Sequence, residues 1–280
     1  MRLSKRSAAG VLSAPWWPGI AVRGLTVSPV WRRRILAILL PAFILLAWAM
    51  AARLAWVSPQ VLPAPGAVLA TLAELFASGE LADNIRVSLF RIGVGFAGGA
   101  ALGLALGACL AFSATVRAYL EPTLRSLFAV PTIGWIPILI LIFGIEETLK
   151  LLIIAKAVTV PVTLHTADAI GRTPPRFLEL ADVLGLRGWA RLRYVTGPPA
   201  LPVICNGLRL GLSSAFIALV VVEMLAATEG LGYMMVWGRT LFQLDVVIAG
   251  IILVGVVGFV LDRVLSHGMS RLRRGGYGVG

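Results

Sequence analysis

Few side chains in this sequence could do chemistry, and those few stand far apart. Lys156 and His165 lie inside an otherwise apolar run at 149–170, with Asp168 near its end. An ionisable group at such a place is a functional candidate by default. Lys156 follows Lys150 by about 9 Å of helix rise. Two roles stay open for it: reaching back to the nearer membrane surface, or attracting an anionic solute. His165 stands alone and reads as a packed polar residue. Cys109 and Cys205 occupy separate apolar runs without metal-ligand spacing and are expected to be small buried side chains. The lysines are Lys5, Lys150 and Lys156, and no Gly-x-x-x-x-Gly-Lys-Ser/Thr occurs, so the chain has no phosphate-binding loop for ATP. Neither a nucleophile elbow nor a His–carboxylate constellation is present. No catalytic residue, metal ligand or cofactor site is therefore expected, and the chain does not read as an enzyme.

The elements that carry these residues are membrane spans. Of 280 residues, 59% are hydrophobic and 14% charged, against roughly 45–50% and about 25% in soluble domains. A span needs about 20 apolar residues. Runs of that kind occupy 35–56, 92–112, 120–143, 149–170, 201–224 and 246–265, which predicts an all-α polytopic bundle of about six transmembrane helices. The net charge of +12 sits in alternate connections. Arg2, Lys5, Arg6, Arg23 and Arg32 to Arg34 precede the first run; Arg117 follows the second; Arg172, Arg176, Arg187, Arg191 and Arg193 follow the fourth; Arg263, Arg271, Arg273 and Arg274 end the chain. The stretch 57–84 has no Lys or Arg. This asymmetry places both termini in the cytoplasm and assigns the charge to a membrane rather than to nucleic acid. Residues 1–34 are expected to be a cytoplasmic tail, 35–270 the membrane domain and 271–280 a second tail. A cleavable signal at Ala49-Met50-Ala51 is the alternative for the first run; the long leader before it favours a span.

Several segments hold more than hydrophobicity. Pro65 can open a helix, and Val68, Leu72 and Leu75 follow at helical spacing, which predicts an amphipathic surface helix or a short helix packed on loops. Gly95, Gly99, Gly103 and Gly107 recur at every fourth position, so another helix backbone can approach closely along that stripe. Pro131 and Pro137 each remove a donor inside the third run. Such interruptions persist in membranes where protein or a water-filled path satisfies the freed groups, so both are pathway candidates together with Lys156, with a simple packing kink as the alternative. Glu223, ahead of Gly230 and Gly232, reads mainly as part of a structured turn, with a gate or docking surface as the alternative.

The connection 171–199 is the most informative. After Pro174-Pro175, residues Phe177, Leu180, Ala181 and Leu184 share one helical face, and Gly185 suits a left-handed helix stop. A second short helix is expected at 189–194, from Trp189, closed by Gly197-Pro198-Pro199. Segments this short are unstable alone, and an apolar face on them invites docking in the groove of another protein.

Here the residues carry a resemblance. Glu179, Ala181 and Gly185, followed by Val195 and Pro198, resemble the coupling motif of importer permeases in the ABC transporter superfamily. From about residue 60 onward, Glu121-Pro122, Phe143-Gly144-Ile145, and Glu223 with Gly230-Leu231-Gly232-Tyr233 look most like the branch that imports aliphatic sulfonates, taurine, nitrate and similar solutes. Two positions depart from the pattern: Leu180 stands where Ala is usual, and Gly197 where Leu is common. The resemblance implies a type I importer bundle in the bacterial inner membrane, working as a homodimer among lipids. It also implies a separate ATPase below and a solute-binding protein outside. On the same ground Phe177, Glu179, Leu180, Ala181, Leu184, Gly185, Arg187 and Trp189 would form the ATPase-coupling surface. The competing function is an ion-gradient-driven transporter or channel, which calls for inverted repeats and paired carboxylates at mid-membrane; no clear repeat is visible. A membrane enzyme would need a convergent polar site.

Overall fold

The computed structural model describes residues 29–276. All regular structure in it is helical: α1 (Pro29–Arg53), α2 (Pro65–Ala77), α3 (Glu80–Phe112), α4 (Ala114–Ala129), a 3-10 turn (Thr132–Trp135), α5 (Ile136–Phe143), α6 (Glu147–Gly171), α7 (Pro175–Val183), α8 (Gly188–Arg191), a π turn (Leu192–Thr196), α9 (Gly197–Ala226), α10 (Leu231–Thr240) and α11 (Leu244–Gly276). Five helical stretches are long and apolar enough to span a membrane, and a sixth results if the bent pair α4/α5 counts as one. The helix α1 lies mostly in a unit of its own, residues 1–50, and is described by itself: it carries an apolar stretch over Leu36–Arg53.

The remaining helices are organised around α6, which packs between α3 and α9. The packing is a consequence of glycine. A Cβ placed on Gly95 would lie 2.6 Å from Ile154 Cγ2, one on Gly103 2.8 Å from Val162 Cβ, and one on Gly107 2.5 Å from Thr166 Cβ. Gly99 meets Ala155 and Val158 in the same way. With backbones this close, Thr159 Oγ1 donates to the Gly99 carbonyl at 3.2 Å. On the other face of α6, Gly207 abuts His165 and Gly211 abuts Val158 and Val162. Ile92, Ile154, Val158, Val162, Ala215 and Leu219 close the core between the three helices. His165 Nδ1 lies 2.9 Å from the Pro161 carbonyl, so it is held within its own helix.

One expectation is sharpened and two are corrected. The interruption expected in the run at 120–143 is a sharp break: α4 and the segment Thr132–Phe143 meet at 89°. The cause is local. Pro131 disfavours helical backbone at the residue before it, and Val130 is extended at φ −73°, ψ 118°. Pro137 creates no comparable strain, because it sits in the first turn of α5, where its missing N–H is not needed. Second, Cys205 is buried but Cys109 is exposed. Cys109 lies two residues past Gly107, about 200° around the helix, so it faces away from α6. Third, residues 197–199 do not close a separate short helix. The π turn runs straight into α9, with Gly197 N–H reaching the Leu192 carbonyl. A Cβ at Gly197 would sit 2.6 Å from that oxygen, which accounts for glycine at this departure from the pattern.

Helix boundaries also move outward. The helix α3 begins at Glu80 rather than near 92, α1 begins within the expected tail at Pro29, and α11 continues to Gly276. The remainder of the expected tails, 1–28 and 277–280, lies outside the described residues.

Candidate functional site

The segment 171–199 folds as an elbow between α6 and α9. Pro175 opens α7 in its first turn, where proline is tolerated. The helix stops in a paired hydrogen-bond pattern: Gly185 N–H donates to Asp182 O at 3.1 Å and Leu186 N–H to Ala181 O at 2.9 Å. This motif needs a left-handed residue after the helix, and Gly185 has φ +67°. Arg191 Nη1 donates to Asp182 Oδ1 at 3.1 Å and holds α8 against α7.

The face seen in the sequence is divided. Ala181 is fully buried and packs inward, with Phe177 half-buried beneath an Arg176 guanidinium 5.0 Å from its ring. Exposed apolar surface comes instead from Leu180 (52% exposed), Val183 (83%) and Leu184 (61%). These three stand at i, i+3 and i+4, one patch on the helix. Glu179, Gly185 and Arg187 are exposed beside it; the side chain of Trp189 lies outside the described residues.

The elbow's two stems line a cleft. Its volume is about 330 Å³, and its walls are Val130, Pro131 and Ile133 from the α4/α5 break, Ala157, Val160 and Pro161 from α6, and Ser214, Ile217 and Ala218 from α9. Pro131 thus lies in the wall and Pro137 does not. Lys156 does not reach back toward Lys150: its Nζ donates to the Val130 carbonyl at 3.2 Å and lies 5.3 Å from the centre of the Trp135 ring. The helix break therefore supplies an acceptor and an aromatic face for the one ammonium in this region.

At the end of the bundle away from the elbow is a charged cluster that the sequence reading missed. Arg91 is fully buried. Its Nε and Nη2 donate to Glu147 at 2.9 and 2.6 Å. Its Nη1 donates to Glu223 Oε1 at 2.9 Å and to the Glu229 carbonyl at 2.7 Å. Glu223, 1% exposed, also accepts from Ser88 Oγ at 2.8 Å and from Gly232 N–H at 2.9 Å. Leu231 N–H donates to Ser88 Oγ, and Gly230 N–H to Asn84 Oδ1 at 2.7 Å. Gly230, at φ +110°, leaves no room for a Cβ between Glu223 and Arg91. One guanidinium thus ties α3, α6, α9 and the turn before α10 together. Asn84, Ser88 and Arg91 recur at i, i+4 and i+7, a polar stripe that could have revealed the cluster.

Among the described residues no group of His, Cys, Asp and Glu could hold a metal ion. What the arrangement offers is a break-lined cleft on two helices that continue into an exposed elbow. Comparison with known proteins agrees with that architecture. Aligned over 225 residues, the chain is 39% identical to SsuC of Bacillus subtilis (strain 168), named as an aliphatic sulfonates transport permease protein; the match covers 80% of this chain and 82% of that one. It is 33% identical over 249 residues to the taurine transport system permease protein TauC of Escherichia coli (strain K12), covering 87% and 90%. SsuC of the same strain is 34% identical over 232 residues, covering 83% and 88%. The family model described as binding-protein-dependent transport system inner membrane component matches residues 99–274, the stretch that holds the glycine stripe from Gly99 onward, the cleft and the elbow; the chain belongs to this family of membrane-spanning transport permeases.

Proposed function

We propose that this chain is the permease subunit of an ABC importer for a small sulfonate, an aliphatic sulfonate or taurine. In this role a separate ATPase docks on the elbow and drives the cleft between two states of access. One observation supports the coupling: α6 and α9, which wall the cleft, are the two helices that the elbow joins, with α7 between them in the chain. A displacement of α7 is therefore delivered to both walls at once. An ATPase can drive the change only by binding its nucleotide differently in the two states.

The exposed trio Leu180, Val183 and Leu184 is the docking face, in the helix-in-groove manner, while Ala181 and Gly185 hold its shape. The elbow lies in the cytoplasm, in line with its arginines. The end of α11 lies there too, since Ser266, Met269 and Ser270 share a pocket with Pro202, Cys205 and Asn206 near the start of α9. Two copies form the complete pathway, a solute-binding protein delivers cargo from outside, and lipid covers apolar faces such as Phe90, Leu102, Phe259 and Val264. The sulfonate assignment draws on the names of SsuC and TauC. Membership of the permease family leaves the ion-gradient alternative without support.

The test uses the assembled importer in cells. Val183→Asp with Leu184→Asp places two carboxylates on the docking face without touching Ala181. Permease is expected to reach the membrane in normal amount, the ATPase to fail to co-purify, and uptake of labelled taurine and ethanesulfonate to stop. Wild-type co-purification and uptake in this variant would refute the docking face. Absence of sulfonate uptake by the wild type would refute the cargo.

A further inference from the structure

The geometry points to Lys156 as the cationic station of the pathway, which receives the anionic head of an alkanesulfonate while its carbon chain lies along the apolar cleft. This inference rests on the importer reading and deepens it. The cleft beside Lys156 has walls of two kinds. Ile133, Ile217 and Ala218 are apolar, and Thr132 and Ser214 each bring one hydroxyl. None of these residues carries a charge. A sulfonate is the anion of a strong acid, so it cannot enter such a place by taking up a proton. Bringing it there uncompensated is costly, and a cation at the margin, with further hydrogen-bond donors beside it, offsets part of that cost.

Lys156 is the cation in position. The helix break fixes it: Val130 belongs to the cleft wall, and its carbonyl accepts one N–H of the ammonium at 3.2 Å. An ammonium has three donors, so two remain for oxyanion oxygens. The Trp135 ring, 5.3 Å from Nζ, adds an indole Nε1–H that is buried and has no hydrogen-bond partner among the described residues. Ammonium and indole together offer more donors than the helices around them use. The carbonyl that holds Lys156 exists as a free acceptor only because Pro131 cannot continue α4. The same proline thus makes the cleft and aims the charge. The expected ligand is an amphiphilic monoanion with a compact oxyanion head and a short apolar tail.

Three forms of residue 156 separate charge from structure. Lys156→Arg keeps the cation. Lys156→Gln keeps a donor for the Val130 carbonyl and loses the charge. The wild-type importer, with its ATPase and binding protein, is measured in parallel for uptake of labelled ethanesulfonate and hexanesulfonate at saturating external solute, so that capture by the binding protein is not limiting. Each rate is normalised to the amount of assembled complex. The arginine form is expected to keep uptake within about threefold of wild type, and the glutamine form to lose about tenfold or more, as for removal of one charge-assisted contact. Uptake by the glutamine form at the wild-type rate, or equal losses in both forms, would overturn the assignment. A wild type that carries neither sulfonate would overturn the cargo reading itself, a distinct outcome.

Discussion

Replacing Arg91 by Met tests the buried cluster that ties the far end of the bundle. The substitution keeps much of the side-chain length and removes four hydrogen bonds: two to Glu147, one to Glu223 and one to the Glu229 carbonyl, in a residue with no exposed surface. Glu223, 1% exposed, then keeps Ser88 and Gly232 as donors but has no cation. Removing one partner of a buried pair costs about 3–5 kcal/mol, because the other charge is left uncompensated. At roughly 2–4 °C per kcal/mol for a chain of a few hundred residues, the purified protein in detergent should unfold about 6 to 20 °C lower. A second step isolates the pair. Glu223→Gln in the Arg91→Met background removes the stranded charge while leaving an acceptor for Gly232 N–H. The double variant should be more stable than the sum of the single losses by about 0.5–3 kcal/mol. Thermal unfolding followed by tryptophan fluorescence reads both. An Arg91→Met protein that melts within about 2 °C of wild type, or strictly additive losses, would refute the claim that this ion pair locks the helices together.

Other consequences are simpler. Gly103→Leu drives a side chain into Val162, where even a Cβ comes within 2.8 Å; α3 and α6 must separate, and the yield of folded protein in detergent, read by size exclusion, should fall at least several-fold, with about 1–3 kcal/mol lost even if the core adjusts. Gly185→Ala forces an L-residue to φ +67° and should lower stability by about 1 kcal/mol while sparing most uptake; Gly185→Pro also removes the donor to Asp182 O and should abolish uptake without preventing membrane insertion. Gly197→Val collides with the Leu192 carbonyl and should uncouple the elbow from α9, seen as ATPase that co-purifies but no longer drives uptake.

Much of the bundle was legible in the sequence, because the signals are strong ones. Apolar runs of span length give helices, a glycine at every fourth residue gives a close-packed stripe, and Gly185 after Ala181 gives a left-handed stop. What was not legible depends on partners distant in the chain. Arg91 fell just ahead of an apolar run taken to start at 92, and only α6 and α9 reveal that it is a hub: Glu147 and Glu223 are 56 and 132 residues away in sequence. The exposed apolar patch of α7 shares Leu180 and Leu184 with the face that periodicity groups, but has Val183 in place of Ala181. Periodicity identifies which residues share a face, but Ala181 faces inward and Val183 outward because the elbow folds back on the π turn, which the sequence presents only as Leu192–Thr196 before a glycine and two prolines. Lys156 reaches Val130 rather than the nearer surface because Pro131 freed a carbonyl on a different helix.

The central claim is that the elbow passes force from a separate ATPase to the two helices that wall the cleft. Photo-crosslinking from a benzoylphenylalanine placed at Val183, the most exposed apolar position of α7 at 83%, tests it most directly in intact cells. A single covalent product of permease and ATPase is expected, formed from position 183 and not from the buried position 181. A product with a secreted or external protein, or none with the ATPase while uptake is normal, would contradict the account.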